Sequence, residues 1–310
     1  MHVKIIGTGS YLPKTVVTNE ELSYKAPINP DWVKENLGIE QRHIVNPALE
    51  KTSDLAEKAA RKALGEAGIG SEEVNLLIVA TSTPDKMSPS TACIVQKKLL
   101  AFNTVAFDVN AVCSGFVFAL SIAANMLEAG QYKTALVIGA DTFSTITNWK
   151  HKYCTFFGDG AGAVVLQAIS KEKHILGTML GSDGTGENFF STPHGGTFHI
   201  EPKELYDFGC SVLPMAVDVA LERAGLKVED IDHVVPHQAS KKMLLKLCEL
   251  MGVPTEKLRT NMDKVSNTAA GTVPILLDEL NRSGQFKEGD HLLMVVMGSG
   301  MTYGAMVYEW

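Results

Sequence analysis

The sequence predicts an α/β protein of stacked layers, assembled from two similar halves. Three observations carry this. Apolar, β-rich runs alternate with amphipathic helical segments along the 310 residues, which implies sheets covered by helices. Residues 63–78, ALGEAGIGSEEVNLLI, return at 220–235 as ALERAGLKVEDIDHVV, an offset of 157. Segment 114–129, SGFVFALSIAANMLEA, is apolar on nearly every face. Such a helix is buried on all sides, so it belongs between two sheets.

The elements follow in order. Strands are expected at 3–7, 74–81, 104–109 and 134–140, then at 232–236 and 291–297. Helices are expected near 52–67, 114–129, 203–224, 240–251 and 272–282. Each copy of the repeat reads as a helix, a Gly stop (Gly68, Gly225), a short acidic link and an apolar strand. Further along, Gly130-Gln131-Tyr132-Lys133 precedes ALVIGA, and Gly284-Gln285-Phe286-Lys287 precedes LLMVVMG, at an offset of 154. AGAVV at 161–165 then pairs with YGAMV at 303–307. Three matches in one order divide the chain into halves at 1–168 and 169–310.

Composition narrows the function. The chain is 45% hydrophobic and 20% charged, an ordinary globular mix, with net charge −7. An acidic chain without a Lys/Arg block is a poor phosphate-backbone binder, so no nucleic acid is expected. The uncharged stretch Leu292–Tyr308 is broken by Gly298, Gly300 and Gly304 and reads as buried strands, so no membrane partner is expected. The N-terminus lacks an apolar signal core, which makes the cytoplasm the expected compartment. Five cysteines, odd in number and without CxxC spacing, argue against a disulfide framework or a zinc site. Gly7-Thr8-Gly9 lacks the third glycine of a dinucleotide fingerprint, and GDGAGA at 158–163 reads as a tight strand entry. His194 and His199 have no third partner for a metal.

Cys113 stands between the strand VAFDVN and the buried helix. A strand-to-helix turn puts a side chain at a helix N-terminus, where the dipole and free N–H groups are expected to favour the thiolate. A packed thiol is the alternative, and the turn position favours the nucleophile. Cys93 and Cys248 lie in apolar helical segments and read as core. The 154 offset sets Cys113 on Asn267, and the 157 offset sets Ala80 on His237. Taken singly, His237 reads equally as a plain strand-end histidine and Asn267 as a turn residue. In a pseudo-twofold fold, strand ends meet at one pocket. A thiol, an imidazole and a carboxamide meeting there would perform acyl transfer.

GTGSYLP (7–13), DWVKENLGIEQRHI (31–44), AFDVNAVCSGF (106–116), FGDGAGAVV (157–165), VVPHQAS (234–240), SNTAAGTVP (266–274) and MGSGMTYGA (297–305) run from end to end of the chain. On these motifs the chain resembles the β-ketoacyl-acyl-carrier-protein synthase III enzymes of the thiolase superfamily. The resemblance implies a thiolase-like five-layered αβαβα fold, a homodimer and an acyl carrier protein as partner. It also implies coenzyme A or phosphopantetheine thioesters as substrates, with no separate cofactor and no metal. It makes Cys113 the acylated nucleophile, and His237 and Asn267 the pair that stabilises an enolate after a malonyl thioester decarboxylates. The backbone N–H groups of Cys113 and Ser299 would form the oxyanion hole. Trp32, Asn36 and His151 fall at the coenzyme A contact. Asn36 and His151 stand where Arg is common, and Pro202 where Gly is usual, so a weaker grip on the nucleotide is expected. Ser88 falls where a partner-subunit residue reaches the acyl pocket. Lys241 and Lys242 read either as a docking patch for an acidic carrier or as a solvated helix face. Acyl transfer to an oxygen or nitrogen nucleophile, without decarboxylation, is the alternative chemistry.

Overall fold

A computed structural model describes residues 1–310. The first half runs β1 (His2–Tyr11), β2 (Thr15–Thr18), α1 (Asn19–Ser23), α2 (Pro30–Leu37), β3 (Gln41–Ile44), α3 (Thr52–Ala67), β4 (Leu76–Ala80), α4 (Thr91–Leu99), β5 (Val105–Val109), α5 (Gly115–Glu128), β6 (Thr134–Thr142) and β7 (Asp159–Ser170). The second runs β8 (Ile175–Ser182), β9 (Phe190–Ser191), β10 (His199–Ile200), α6 (Pro202–Ala224), β11 (His233–Pro236), α7 (Lys241–Met251), α8 (Met262–Val265), α9 (Thr272–Arg282), β12 (His291–Gly298) and β13 (Thr302–Glu309).

Two main sheets form, one of five strands in the order β1-β7-β6-β4-β5 and one of four in the order β11-β12-β13-β8, beside the two-stranded pairs β2-β3 and β9-β10. Helices α3 and α4 cover the outer face of the first sheet, with a core that includes Leu55, Ala59, Val79 and Ile138. Helices α6 and α7 cover the second, around Leu213, Val217, Leu247 and Val295. Between the sheets lie α5 and α9, in one shared core with Phe116, Leu120, Leu276 and Met294. The result is five layers, α-β-α-β-α. Each fully buried Leu or Phe in the middle layer contributes about 1.5–3 kcal/mol.

The duplication extends to packing detail. Helices α3 and α6 both stop on left-handed glycines, Gly68 (φ 68) and Gly225 (φ 69), 157 residues apart. A Cβ on Gly7 of β1 would collide with Ala63 and Ala67 of α3, and one on Gly177 of β8 would collide with Ala220 and Ala224 of α6. In each half the missing Cβ lets strand and helix touch.

Two sequence expectations are corrected here. The 154 offset is local: α9 has 11 residues where α5 has 14. The link after it is longer by the same amount, since β6 begins directly after Lys133 while β12 begins four residues after Lys287. On either side the offset is 157. The structural twin of Cys113 is therefore Ala270, and the twin of Asn267 is Asn110. A second correction concerns α5, which is not buried all round: Asn125 and Glu128 are exposed, and Ile122 and Met126 only half-buried.

Candidate active site

Cys113 lies on a short 3-10 turn, Val112–Ser114, between β5 and α5. Val112, just before it, has φ +48. That conformation is rare for a β-branched residue and costs on the order of 1–3 kcal/mol. The turn is held from the second sheet. Thr302 Oγ1 lies 2.8 Å from Ser114 Oγ, and it also donates to the Ala111 carbonyl at 3.1 Å. A Cβ on Gly298 would collide with the Ala111 carbonyl oxygen and sit 2.9 Å from Ser114 N. The end of β12 thus approaches the Cys113 turn only because residue 298 has no side chain.

His237 follows β11, and its backbone N–H donates to Val295 O at 2.8 Å. Its Nε2 is buried and has no hydrogen-bond partner. Asn267 precedes α9 and is clamped by its backbone: its N–H donates to Phe156 O at 3.2 Å, and its carbonyl accepts from Gly158 N at 3.0 Å. Its side-chain oxygen accepts from Ala269 N (2.8 Å) and Thr272 Oγ1 (3.2 Å). With Oδ1 occupied, the amide NH2 is the group left for the site. The carboxamide lies near enough to influence both the Cys113 thiol and the His237 imidazole, and all three side chains line one cavity. The structure therefore brings thiol, imidazole and carboxamide together.

Electrostatics correct one expectation. Burial pushes the Cys113 thiol well above its ordinary value, the nearby Asp141 carboxylate pushes the same way, and Asn267 and the residue's own N–H oppose them. Desolvation outweighs the turn's amides, so the resting residue is a thiol rather than the expected thiolate. Burial also lowers His237 to about 4 against the smaller opposing effect of Asn267. The imidazole is neutral at pH 7 and acts as a hydrogen-bond donor from whichever nitrogen carries the proton.

The three groups line a cavity of about 730 Å³. Beside Cys113 lies an apolar wall containing Phe143, Phe157, Phe190 and Ile200, with Phe143 and Phe157 stacked at 4.3 Å. Trp32, Asn36, Pro202, Ser299 and Lys242 also line the cavity. Helix α2 presents Trp32 and Asn36 because Asn29 caps it, accepting from Trp32 N at 3.1 Å, and Gly38 stops it. The Ser299 hydroxyl donates to the Phe190 carbonyl.

Other sequence expectations fall elsewhere. Ser88 is exposed on the loop after β4 and does not line the cavity of its own chain. His151 is outside the lining as well: its Nδ1 accepts from Tyr153 N at 3.4 Å and its ring packs edge-on against Tyr153, which does line it. Lys241 is exposed beside Gly38 and outside the cavity lining, on the surface of α7. Cys248 is buried, but Cys93 is only half-buried, its thiol 3.6 Å from the Ala106 carbonyl. Lys152 and Lys203 join Lys242 in the lining, so cations remain near the cavity where Arg was expected at 36 and 151. Sequence reading missed Lys203, the phenylalanine wall, Gly298 and Asp141; the last two are twins at an offset of 157. GDGAGA lies on the way into and along β7, where Gly162 lets α9 pack close. No group of three His, Cys, Asp or Glu side chains is arranged to hold a metal ion. No helix is long and apolar enough to cross a membrane.

Comparison with known proteins shows the family and the fold. Residues 107–184 match the family model 3-Oxoacyl-[acyl-carrier-protein (ACP)] synthase III, and residues 221–310 match the model of its C-terminal part. A beta-ketoacyl-[acyl-carrier-protein] synthase III of Caldanaerobacter subterraneus subsp. tengcongensis is 41% identical over 322 residues, covering 99% of this chain and 97% of that protein. The crystal structure of a 3-oxoacyl-[acyl-carrier-protein] synthase III from Aquifex aeolicus superposes with a TM-score of 0.96 at 40% identity, covering 99% of this chain and 100% of the other. The priming beta-ketosynthase of the R1128 polyketide biosynthetic pathway has a TM-score of 0.93 at 31% identity, covering 99% and 96%. The chain thus belongs to the 3-oxoacyl-acyl-carrier-protein synthase III family.

Proposed function

We propose that this enzyme joins an acyl primer to a malonyl thioester by decarboxylative Claisen condensation, with Cys113, His237 and Asn267 as its catalytic residues. One observation carries the reading: a buried thiol shares its pocket with two neutral groups, the His237 imidazole with its unpartnered Nε2 and the Asn267 amide.

The chemistry follows from the groups. The Cys113 thiol loses its proton as sulfur attacks the donor thioester, and the departing thiolate of the donor takes a proton up. Backbone N–H groups of Cys113 and Ser299 receive the transient oxyanion. The primer then lies against Phe157, Phe190 and Ile200. A malonyl thioester entering the same cavity places its carbonyl oxygen at His237 and Asn267. When its C–CO₂ bond breaks, the electron pair passes to that oxygen, and both groups donate to the growing charge. Neutral donors suit this step, since they stabilise the enolate without protonating it. The enolate carbon attacks the acyl-Cys113 carbonyl, the new C–C bond forms and the Cys113 thiolate leaves.

The malonyl group is proposed to arrive on an acyl carrier protein, whose acidic surface Lys152 and Lys242 would meet, and no metal or redox cofactor enters the scheme. A homodimer is proposed through β5. This strand is an edge with Val105 exposed and Phe107 and Val109 half-buried, beside the half-open side of α5. A second copy there would also bring the loop of Ser88 towards a neighbouring pocket. The cytoplasm, where thioester donors and carriers are made, is the proposed compartment.

The test mixes the enzyme with acyl-coenzyme A and malonyl-carrier, following intact mass and CO₂ release together. Acylation of Cys113 followed by CO₂ release and a 3-oxoacyl product supports the reading. Acyl transfer to an added alcohol or amine, with no CO₂, would replace it by the non-decarboxylating alternative.

A further inference from the structure

The turn that carries Cys113 has a copy in the second half. Residues 112–114 and 269–271 are both 3-10 turns leading into a central helix. Val112 and Ala269, 157 residues apart, have φ of +48 and +49. Each turn is preceded by an asparagine whose Oδ1 accepts the amide two residues on: Asn110 from Val112 N at 3.4 Å, Asn267 from Ala269 N at 2.8 Å. Cys113 and Ala270 are the matched residues.

The strands beside the turns differ. Next to the first turn, β12 ends on Gly298, which has no side chain to offer. Next to the second, the matching residue of β6 is Asp141, wholly buried. Its Oδ2 accepts from Ala270 N at 3.0 Å. Its Oδ1 accepts from the Thr81, Ser82 and Thr83 hydroxyls and from the Ser82 and Thr83 amides, at 2.8–3.1 Å. One oxygen is anchored, and the other is presented to an amide equivalent to that of Cys113. The second half therefore contains the same amide site with a carboxylate of the protein already in it.

We propose that Asp141 is a positioning residue for the decarboxylating half-reaction, holding the 269–271 turn so that Asn267 aims its amide at the malonyl thioester. Consecutive amides, Ala269 N and Ala270 N, are taken by Asn267 Oδ1 and Asp141 Oδ2. The left-handed conformation at Ala269 is one that L-residues seldom adopt, and the Asp141 bond fixes the residue that follows it. Losing this bond lets the turn relax, and Asn267, whose own oxygen is bonded into the turn, moves with it. Acyl transfer to Cys113 uses the other turn and is not slowed; the Asp141 charge, which helps to keep the thiol protonated, acts on that step in the opposite sense.

The inference rests on the reading of Asn267 as a donor, and the experiment separates the two. Asp141→Asn keeps its oxygen among the five donors of 81–83 and turns its NH2 towards Ala270 N–H, two donors face to face. In the intact enzyme, kcat for malonyl-carrier decarboxylation is expected to fall about tenfold or more, with KM within about twofold. Acylation of Cys113, followed by intact mass, should fall by no more than about threefold, since the lost charge is one that holds the thiol protonated. A merely structural role would lower both half-reactions together, and that result, or unchanged decarboxylation, overturns the proposal. His237→Ala runs alongside: if it decarboxylates normally, the reading of the site fails. If it is inactive while Asp141→Asn is not, this inference alone fails. Should Asp141→Asn not fold, Thr81→Val removes one donor to Oδ1 and keeps the charge. A several-fold loss confined to decarboxylation is expected from it, and an unchanged rate or parallel losses would overturn the proposal.

Discussion

The two halves share a scaffold and divide the chemistry. Both have a left-handed turn residue, a central helix and a strand in the same order, and both turns point into the middle of the molecule. In the first half the turn carries a thiol, and the adjacent strand end is a glycine. In the second, the equivalent positions are an alanine and a carboxylate, and the useful group is an asparagine three residues earlier. The sheets differ too. The first has a fifth strand, β5, with an open edge. In the second, the corresponding residues form α8, and pairing at that edge is reduced to a bridge between Val234 and Leu258. A duplicated frame fixes where side chains meet, while single residues at matched positions decide which half holds the nucleophile and which supplies donors.

Four changes test that division. The largest effect belongs to the thiol. Cys113→Ala should abolish acyl-enzyme formation, while Cys93→Ala and Cys248→Ala retain it. Adding Ala270→Cys to Cys113→Ala should restore nothing, because the amide beside residue 270 is occupied by Asp141. An acyl adduct at 270 in the intact mass would break the asymmetry.

Next come the donors. His237→Ala and Asn267→Ala should each cost about 3 kcal/mol in decarboxylation, roughly 100-fold, and leave acylation of Cys113 in place. In the wild type, decarboxylation should be flat from about pH 6 to 8, since a histidine lowered to about 4 gains its proton only as pH falls towards that value. An inflection near the ordinary histidine value would contradict the neutral donor.

The strand end is third. Gly298→Ala forces a Cβ against the Ala111 carbonyl and Ser114 N. Thermal or urea unfolding should show a loss of about 1–3 kcal/mol, with acylation slowed as the Cys113 turn shifts. Full stability would mean that the two strand ends are interchangeable.

The smallest effect lies at the mouth, where only electrostatic attraction to phosphate or carrier is at stake. Lys152→Ala and Lys242→Ala should raise KM for coenzyme A thioesters or malonyl-carrier by up to about fivefold, and less at high salt. Lys203 pairs with Asp207 at 2.6 Å and should matter less.

Much of this was legible in the chain. Alternation of apolar runs placed six strands and five helices to within a few residues, because burial imposes its period directly on sequence, but it set no bounds for β7, β8, β13 or α4. Cys113, His237 and Asn267 were also legible, but the pairing of Cys113 with Asn267 through the 154 offset was not sound. A helix shortened by three residues and a link lengthened by three cancel, and aligning short motifs cannot distinguish that from a true register. That His151 and Lys241 stay out of the cavity lining was not legible for a related reason. Neighbours in sequence on a short turn or helix point in different directions, so Lys152 and Lys242 reach the cavity while His151 and Lys241 do not.

By itself, then, the sequence determined the layered class, the duplication and the chemical identity of the three site groups, since these depend on residue type and spacing along one chain. Tertiary structure alone decided their state and aim. Whether Cys113 rests as a thiol depends on how much water the surrounding layers exclude and on a carboxylate 28 positions away, at Asp141. Which end of the Asn267 amide faces the cavity depends on Ala269 N and Thr272 Oγ1 holding the other end. Desolvation and hydrogen-bond direction are sums over neighbours in space, and only the folded chain brings those neighbours together.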